Sequence, residues 1–159
     1  AHKNGLRTSA TMMYGMGESN ADRIEHLLKI RDLQARTGGF TAFICWPLQP
    51  EGTPMFDGTA KTDAVTYLRT LAMGRIICRN IPNMQSSWVT MGHKVGQVAL
   101  RFGANDYGSL MMEENVVLAA GTTYRATLEE MERMITDAGF TARRRRQDYS
   151  LIEEAAAAA

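Results

Sequence analysis

The residues best suited to chemistry stand at the ends of short apolar runs. Tyr14-Gly15-Met16-Gly17-Glu18-Ser19 follows the run from Thr8 to Tyr14. Two glycines spaced by one residue, between a strand and a helix, let backbone N–H groups approach a ligand. The same spacing also serves an ordinary strand-to-helix turn. Farther along, Asn80, Asn83, Gln85 and Ser87 crowd the end of another apolar run. Such groups donate and accept hydrogen bonds without charge. They suit either a satisfied turn or contacts to a polar substrate such as a nucleoside. Glu113 and Glu114 are adjacent carboxylates, which diverge on most backbones and so do not make a ready acid/base pair; they read as capping or bridging groups. His26 reads as a packing or surface histidine on a helix. Cys45 and Cys78 match no disulfide or metal spacing, so no metal site is expected. Arg143 to Arg146 is a run of four like charges, expected as a solvated face or tail, with phosphate binding as the alternative.

The elements that position these groups follow from periodicity. Thr8 to Tyr14 predicts a strand with small side chains on one face. Ser19 or Asn20 caps the next helix, with Asp22 in its first turn. Ile24, Leu27, Leu28, Arg31 and Leu33 give its stripe, and Gly38-Gly39 ends it. Phe40 to Trp46 is apolar, aromatic and β-branched, as in a strand of a parallel sheet buried on both faces. Pro47 and Pro50 end it, and the loop Gln49-Pro50-Glu51-Gly52-Thr53-Pro54 follows. Thr62-Asp63 starts a second helix, with Val65, Leu68, Leu71 and Ala72 buried and the stripe running on toward Met73 and Ile76; Gly74 weakens its end. Ile77 to Pro82 predicts the third strand. A helix between Gly92 and Gly103 carries Val95, Val98, Ala99 and Phe102 on one face. Asn105 to Leu110 predicts a short fourth strand. Thr127-Leu128-Glu129-Glu130 opens the last helix with a capping-box pattern, and Gly139 closes it.

The fold class is therefore α/β, with parallel strand–helix units in one domain over residues 1–150 and a tail over 151–159. The run Ala155 to Ala159 is set aside as tag-like. Bulk properties narrow the partners. The 159-residue chain carries a formal net charge of +1, which gives no field for nucleic acid or an anionic membrane. No apolar run approaches the roughly 18 residues of a membrane span, and Ala1 to Gly5 lacks signal-peptide architecture. A reducing cytoplasm is the expected location. Eleven methionines, including Met12-Met13 and Met111-Met112, suit adaptable packing or a soft lining for a flat ligand.

Several blocks then carry a resemblance. They are Thr11-Met12-Met13-Tyr14-Gly15 with Glu18, Arg23 and His26-Leu27, and Thr37-Gly38-Gly39-Phe40-Thr41-Ala42-Phe43-Ile44. Asn80-Ile81-Pro82-Asn83-Met84-Gln85, Ser87-Trp88-Val89-Thr90-Met91-Gly92 and Gly103-Ala104-Asn105-Asp106-Tyr107-Gly108-Ser109 with Glu113 to Val117 agree. Together they resemble the menaquinone and deazaflavin branch of the radical S-adenosylmethionine (SAM) enzymes, up to about Tyr149. Cys45-Trp46-Pro47 and Trp88-Val89-Thr90 are most similar to the futalosine cyclases; aminofutalosine and deazaflavin synthases are near relatives. The resemblance implies a TIM-type (β/α) barrel, SAM, and a [4Fe–4S] cluster on a CxxxCxxC loop. It implies hydrogen abstraction from the substrate ribose of dehypoxanthine futalosine and radical addition to its benzoate ring, on the way to menaquinone. The chain has no CxxxCxxC, so the resemblance is to strands five to eight alone, the C-terminal half. By resemblance, Tyr14, Gly15, Gly17 and Glu18 lie along the SAM adenosine, and Trp46 and Pro47 pass its adenine. Asn83, Gln85, Ser87 and Asp106 stand where strand ends face a substrate. A half barrel exposes sheet edges and an apolar inner face, so its implied partner is the missing half or another copy of itself. The alternative is a non-catalytic half-barrel that binds a nucleoside or oligomerises.

Overall fold

The computed structural model describes residues 1–50, 61–110 and 124–152. The loop Glu51 to Pro54, Met111-Met112, Glu113 to Val117 and Ala155 to Ala159 lie outside them. Three parallel strands, β1 (Thr8–Tyr14), β2 (Phe40–Pro47) and β3 (Asn83–Gln85), form a sheet in the order β1-β2-β3. The register sets Thr11 beside Ile44, Met13 beside Trp46, and Ile44 beside Gln85. Alternation along β1 buries Ala10, Met12 and Tyr14 against helices. It leaves Ser9, Thr11 and Met13 on the opposite face, called here the inner face.

Helix α1 (Asn20–Thr37) begins at Ser19, whose hydroxyl accepts the Asp22 N–H while the Asp22 carboxylate accepts the Ser19 N–H. It ends at Gly38, φ 60°. The neighbouring Gly39 serves a different need: a Cβ there would stand 2.3 Å from the His2 ring. Gln34 fastens the helix end to β2, accepting the Phe40 N–H at 2.8 Å and donating to the Phe40 carbonyl at 3.0 Å. The buried face of α1 is Leu27, Ile30 and Gln34. The expected stripe is therefore rotated: Leu27 holds, whereas Ile24 and Arg31 are exposed.

Helix α2 (Ala64–Ile77) starts at Asp63, whose carboxylate accepts the Thr66 N–H at 2.7 Å. Its buried face is Tyr67, Thr70, Leu71 and Gly74, and Val65 and Ile76 are 63% and 73% exposed. Gly74 does not weaken the helix end. It admits the Phe43 ring, which would lie 3.2 Å from a Cβ. The helix thus takes in the start of the expected third strand. Residues 78–81 form local turns instead, the Cys78 N–H donating to Gly74 and the Ile81 N–H to Cys78. Pairing with β2 begins only after Pro82, which has no N–H to give a ladder.

A short helix α3 (Trp88–Met91) precedes α4 (His93–Ala99), which with a 3-10 turn at Leu100–Phe102 makes up the expected helix between Gly92 and Gly103. Gly92, at φ 82°, separates the first two. Gly96, Ala99 and Leu100 are buried there, whereas Val98 and Phe102 are exposed. The expected fourth strand is reduced to one parallel bridge, Gln85 to Asp106. Local bonding competes with the ladder here. The Asn105 side-chain oxygen accepts the Met84 N–H at 2.8 Å, the Asp106 carboxylate accepts the Gly108 N–H at 3.0 Å, and Gly108 bends away at φ 97°. Helix α5 (Leu128–Asp137) opens with the expected capping box of Thr127 and Glu130.

Between sheet and helices lies a continuous core. Phe43, Cys45, Met84, Leu27, Tyr67, Leu71 and Ile81 have no exposed surface. Parallel strands joined through helices are consistent with part of a (β/α) barrel.

Candidate functional site

In sheets of this class, ligands sit at the carboxyl ends of the strands. At the end of β1 the glycine turn is occupied by the chain itself. The Gly15 N–H donates to both Glu18 carboxylate oxygens at 2.9 Å, and the Met16 N–H donates to one at 2.8 Å. Arg23 clamps the same carboxylate through Nε at 2.8 Å and through a terminal nitrogen at 2.6 Å. Its guanidinium lies 4.6 Å from the centre of the Tyr14 ring. A Cβ on Gly15, at φ 97°, would meet the Thr62 hydroxyl at 2.8 Å. Gly15 is thus required for packing within the chain. Gly17, at φ 101°, faces open space.

Burial raises the Glu18 carboxyl, but the bonds from Gly15, Met16 and Arg23 outweigh it and hold the group below its ordinary range. A carboxylate depressed in the folded state stabilises above its unfolded value and loses that contribution as pH falls through the folded one. Unfolding midpoints measured against pH should therefore fall more steeply below about pH 4.3 in the native protein than in Glu18→Gln, which has no charge to lose. Identical slopes would show that the clamp adds nothing.

The other expected cofactor residues divide by face. Tyr14 and Pro47 are fully buried behind the sheet. The Tyr14 hydroxyl has no hydrogen-bond partner among the described residues, and burial pushes its pKa far up, keeping it neutral. Trp46 is half-buried and alternates with the buried Cys45 and Pro47, which places it on the inner face beside Met13. The cavity at this end, of about 250 Å³, is lined by Met13, Met16, Glu18, Arg23 and His26. The described residues do not fit a metal cluster. Cys45 and Cys78 are both buried, and burial pushes their thiols up to about 12 and about 11. No group of three metal ligands occurs among the described residues.

The expected substrate residues are mostly engaged in holding the fold. The Asn83 amide donates to the Thr41 carbonyl at 2.8 Å. The Ser87 N–H donates to the Tyr67 hydroxyl, and the Ser87 hydroxyl pairs with that of Thr90, both at 2.8 Å. Asp106 accepts from Gly108 and from Arg145, whose Nε and terminal nitrogen reach it at 3.1 and 2.7 Å. Gln85 alone of the four lines a cavity on the inner face with its side chain unbonded among the described residues.

Sequence reasoning missed Arg23 and Arg145 as organising cations. Arg23 stands within a quoted block, but its reach back to Glu18 needs the turn's geometry. Arg145 lies in the arginine run expected to be solvated. In the structure Arg145 pairs with Asp106 and Arg144 with Glu132 at 3.0 Å.

Residues 37–158 match the family model described as the CofH/MqnC C-terminal region. A cyclic dehypoxanthine futalosine synthase of Halalkalibacterium halodurans is 47% identical over 150 residues, covering 94% of this chain and 40% of that protein. One from Streptomyces coelicolor is 44% identical, covering 94% of this chain and 37% of that protein. A 5-amino-6-(D-ribitylamino)uracil–L-tyrosine 4-hydroxyphenyl transferase of Methanosarcina barkeri is 39% identical, covering 98% and 44%. The chain spans about two fifths of the length of these relatives.

Proposed function

The chain belongs to the CofH/MqnC C-terminal family of the radical SAM enzymes, and from that premise we propose that it forms strands five to eight of a barrel enzyme that cyclises dehypoxanthine futalosine. The observation that carries this reading is the 47% identity to a protein named for that product, against 39% for the related transferase. The open inner face at Trp46, Met13 and Gln85 supports it. The expected location is the cytoplasm. The partner is the half-barrel that completes the sheet, or a second copy of this chain, because the outer edge of β1 has no strand beside it among the described residues.

The test is product identification with the full-length protein, supplied with iron, sulfide, SAM, a reductant and dehypoxanthine futalosine. The reading expects 5′-deoxyadenosine and the cyclic product. Turnover of tyrosine with 5-amino-6-(D-ribitylamino)uracil instead would move the protein to the transferase side of the family.

A second reading concerns these 159 residues by themselves. Their two thiols are buried and protonated, which favours a half-barrel with no cluster chemistry of its own. Anaerobic reconstitution of this chain with iron and sulfide should leave no stable [4Fe–4S] spectrum and no SAM cleavage. A stable cluster signal would overturn that expectation.

A further inference from the structure

Helix α2 carries a cation with no anion to meet it. Arg75 is half-buried in the helix that packs on Phe43, and among the described residues no carboxylate pairs with it. Its guanidinium reaches three neutral oxygens instead. Nε donates to the Gly103 carbonyl at 2.7 Å, one terminal nitrogen to the Asn105 side-chain oxygen at 2.7 Å, and the other to the Ile81 carbonyl at 3.4 Å. The stem lies flat on Gly103, where a Cβ would stand 2.7 Å from the Arg75 Cβ. We propose that Arg75 is a positioning residue: acting through Asn105, it sets the register of residues 105–108 on β3 and so fixes Gln85 on the inner face. Its effect on turnover rests on the reading above, whereas the register does not.

Asn105 does for β3 what a fourth strand would do. Its side-chain oxygen accepts the Met84 N–H at 2.8 Å, its amide nitrogen donates to the Pro82 carbonyl at 3.2 Å, and its backbone N–H donates to the Met84 carbonyl at 3.0 Å. The oxygen that holds Met84 is the one Arg75 grips, and a charged donor makes the stronger bond. One residue on, the Asp106 carbonyl accepts the Ser86 N–H at 2.8 Å, beside the bridge of Asp106 to Gln85. Gly108 then brings the backbone against Gln85: a Cβ there would stand 3.2 Å from its amide nitrogen. Side chains alternate along an extended segment, so a slip of one residue would turn Asp106 to the other face. It would also part Asp106 from Arg145. Arg145 belongs to the C-terminal arm, a small hairpin in which the Arg146 N–H donates to Ser150 and the Ile152 N–H to Arg144, both at 2.8 Å. Arginine suits position 75 because its planar fork meets divergent acceptors that the point charge of lysine cannot meet together.

The test uses the full-length protein. Hydrogen–deuterium exchange over residues 83–87, without substrate, reads the register. Arg75→Met should speed exchange there about tenfold, the scale of losing a hydrogen bond to a charged group, and leave β1 unchanged. Kinetics reads the site, with whichever substrate the native protein turns over, dehypoxanthine futalosine or tyrosine with 5-amino-6-(D-ribitylamino)uracil. Arg75→Met should lower kcat/KM about 10²-fold. Arg75→Lys, which keeps the charge but not the fork, should lower it about tenfold. Arg75→Met/Asn105→Ala should lose no more than Asn105→Ala alone, because both act through one contact. Thr127→Ala removes the α5 cap; it should lower the urea midpoint and leave kcat/KM as it is. The proposal is overturned if exchange over residues 83–87 is native in Arg75→Met, if both Arg75 variants keep native kcat/KM, or if the losses at Arg75 and Asn105 add. It is also overturned if Thr127→Ala lowers kcat/KM as much as Arg75→Met does, since the effect would then be one of stability. A native protein that turns over neither substrate removes the proposed function and leaves the exchange result to decide the register.

Discussion

Arg145→Ala should destabilise the protein by about 3 kcal/mol, the lower end of the range for stranding one partner of a buried ion pair. The Asp106 side chain is 8% exposed and that of Arg145 is 19% exposed, so the carboxylate is the group that suffers. Without the guanidinium it keeps one donor, the Gly108 N–H. The arm also loses the contact of Arg145 with the Tyr149 ring, 4.1 Å from its centroid. Arg145→Lys keeps the charge but not the two-pronged geometry, and should fall between. The double variant Asp106→Asn/Arg145→Met should recover most of the loss, because no buried charge is then left alone. Urea unfolding of the four proteins gives the coupling directly. If the single and double variants lose equal stability, the pair is a surface contact and the arm is held by something else.

This pair also marks where the sequence stops being readable. Strand and helix order, the capping residues Ser19, Asp63 and Thr127, and the stop at Gly38 follow from local chemistry, so they are legible along the chain. The rotation of α1 and α2 is not local. It follows from which side chains meet the sheet: Gly74 must face Phe43, and that turns Val65 and Ile76 outward. The third strand lies later than periodicity places it, because α2 continues through Ile77 and Pro82 delays the ladder. The fourth is nearly lost to side-chain bonds of Asn105 and Asp106. Arg143, Arg144 and Arg146 are exposed as expected, but the pairings of Arg144 with Glu132 and of Arg145 with Asp106 span 12 and 39 residues. Proximity in sequence gives no hint of either. At the candidate site, residue types at the strand ends were visible, whereas the face each one takes depends on register. Trp46 faces inward and Pro47 does not, although they are adjacent.

Glu18→Ala should lower kcat/KM of the full-length enzyme about 10²-fold, the scale of effect that a displacement of about 1 Å produces. That corresponds to about 2.7 kcal/mol of lost transition-state stabilisation. The carboxylate is the acceptor for Gly15 and Met16 and the counter-ion of Arg23, whose side chain is 11% exposed. Its removal leaves two N–H groups without an acceptor and a nearly buried cation above the Tyr14 ring. The turn then has reason to open, and Gly17 and the end of β1 shift with it. The Glu18 carboxylate is engaged by Gly15, Met16 and Arg23, so the role predicted for it is positioning, and a stability loss alone would not establish that role. The informative measurement is the comparison with Glu18→Gln, which keeps an acceptor for the turn but removes the negative charge facing Arg23. If positioning is what matters, Glu18→Gln recovers most of kcat while its unfolding free energy stays below that of the native protein. If both variants lose kcat equally, the charge itself acts on the reaction. If neither loses it, the glycine turn contributes to folding and not to the site.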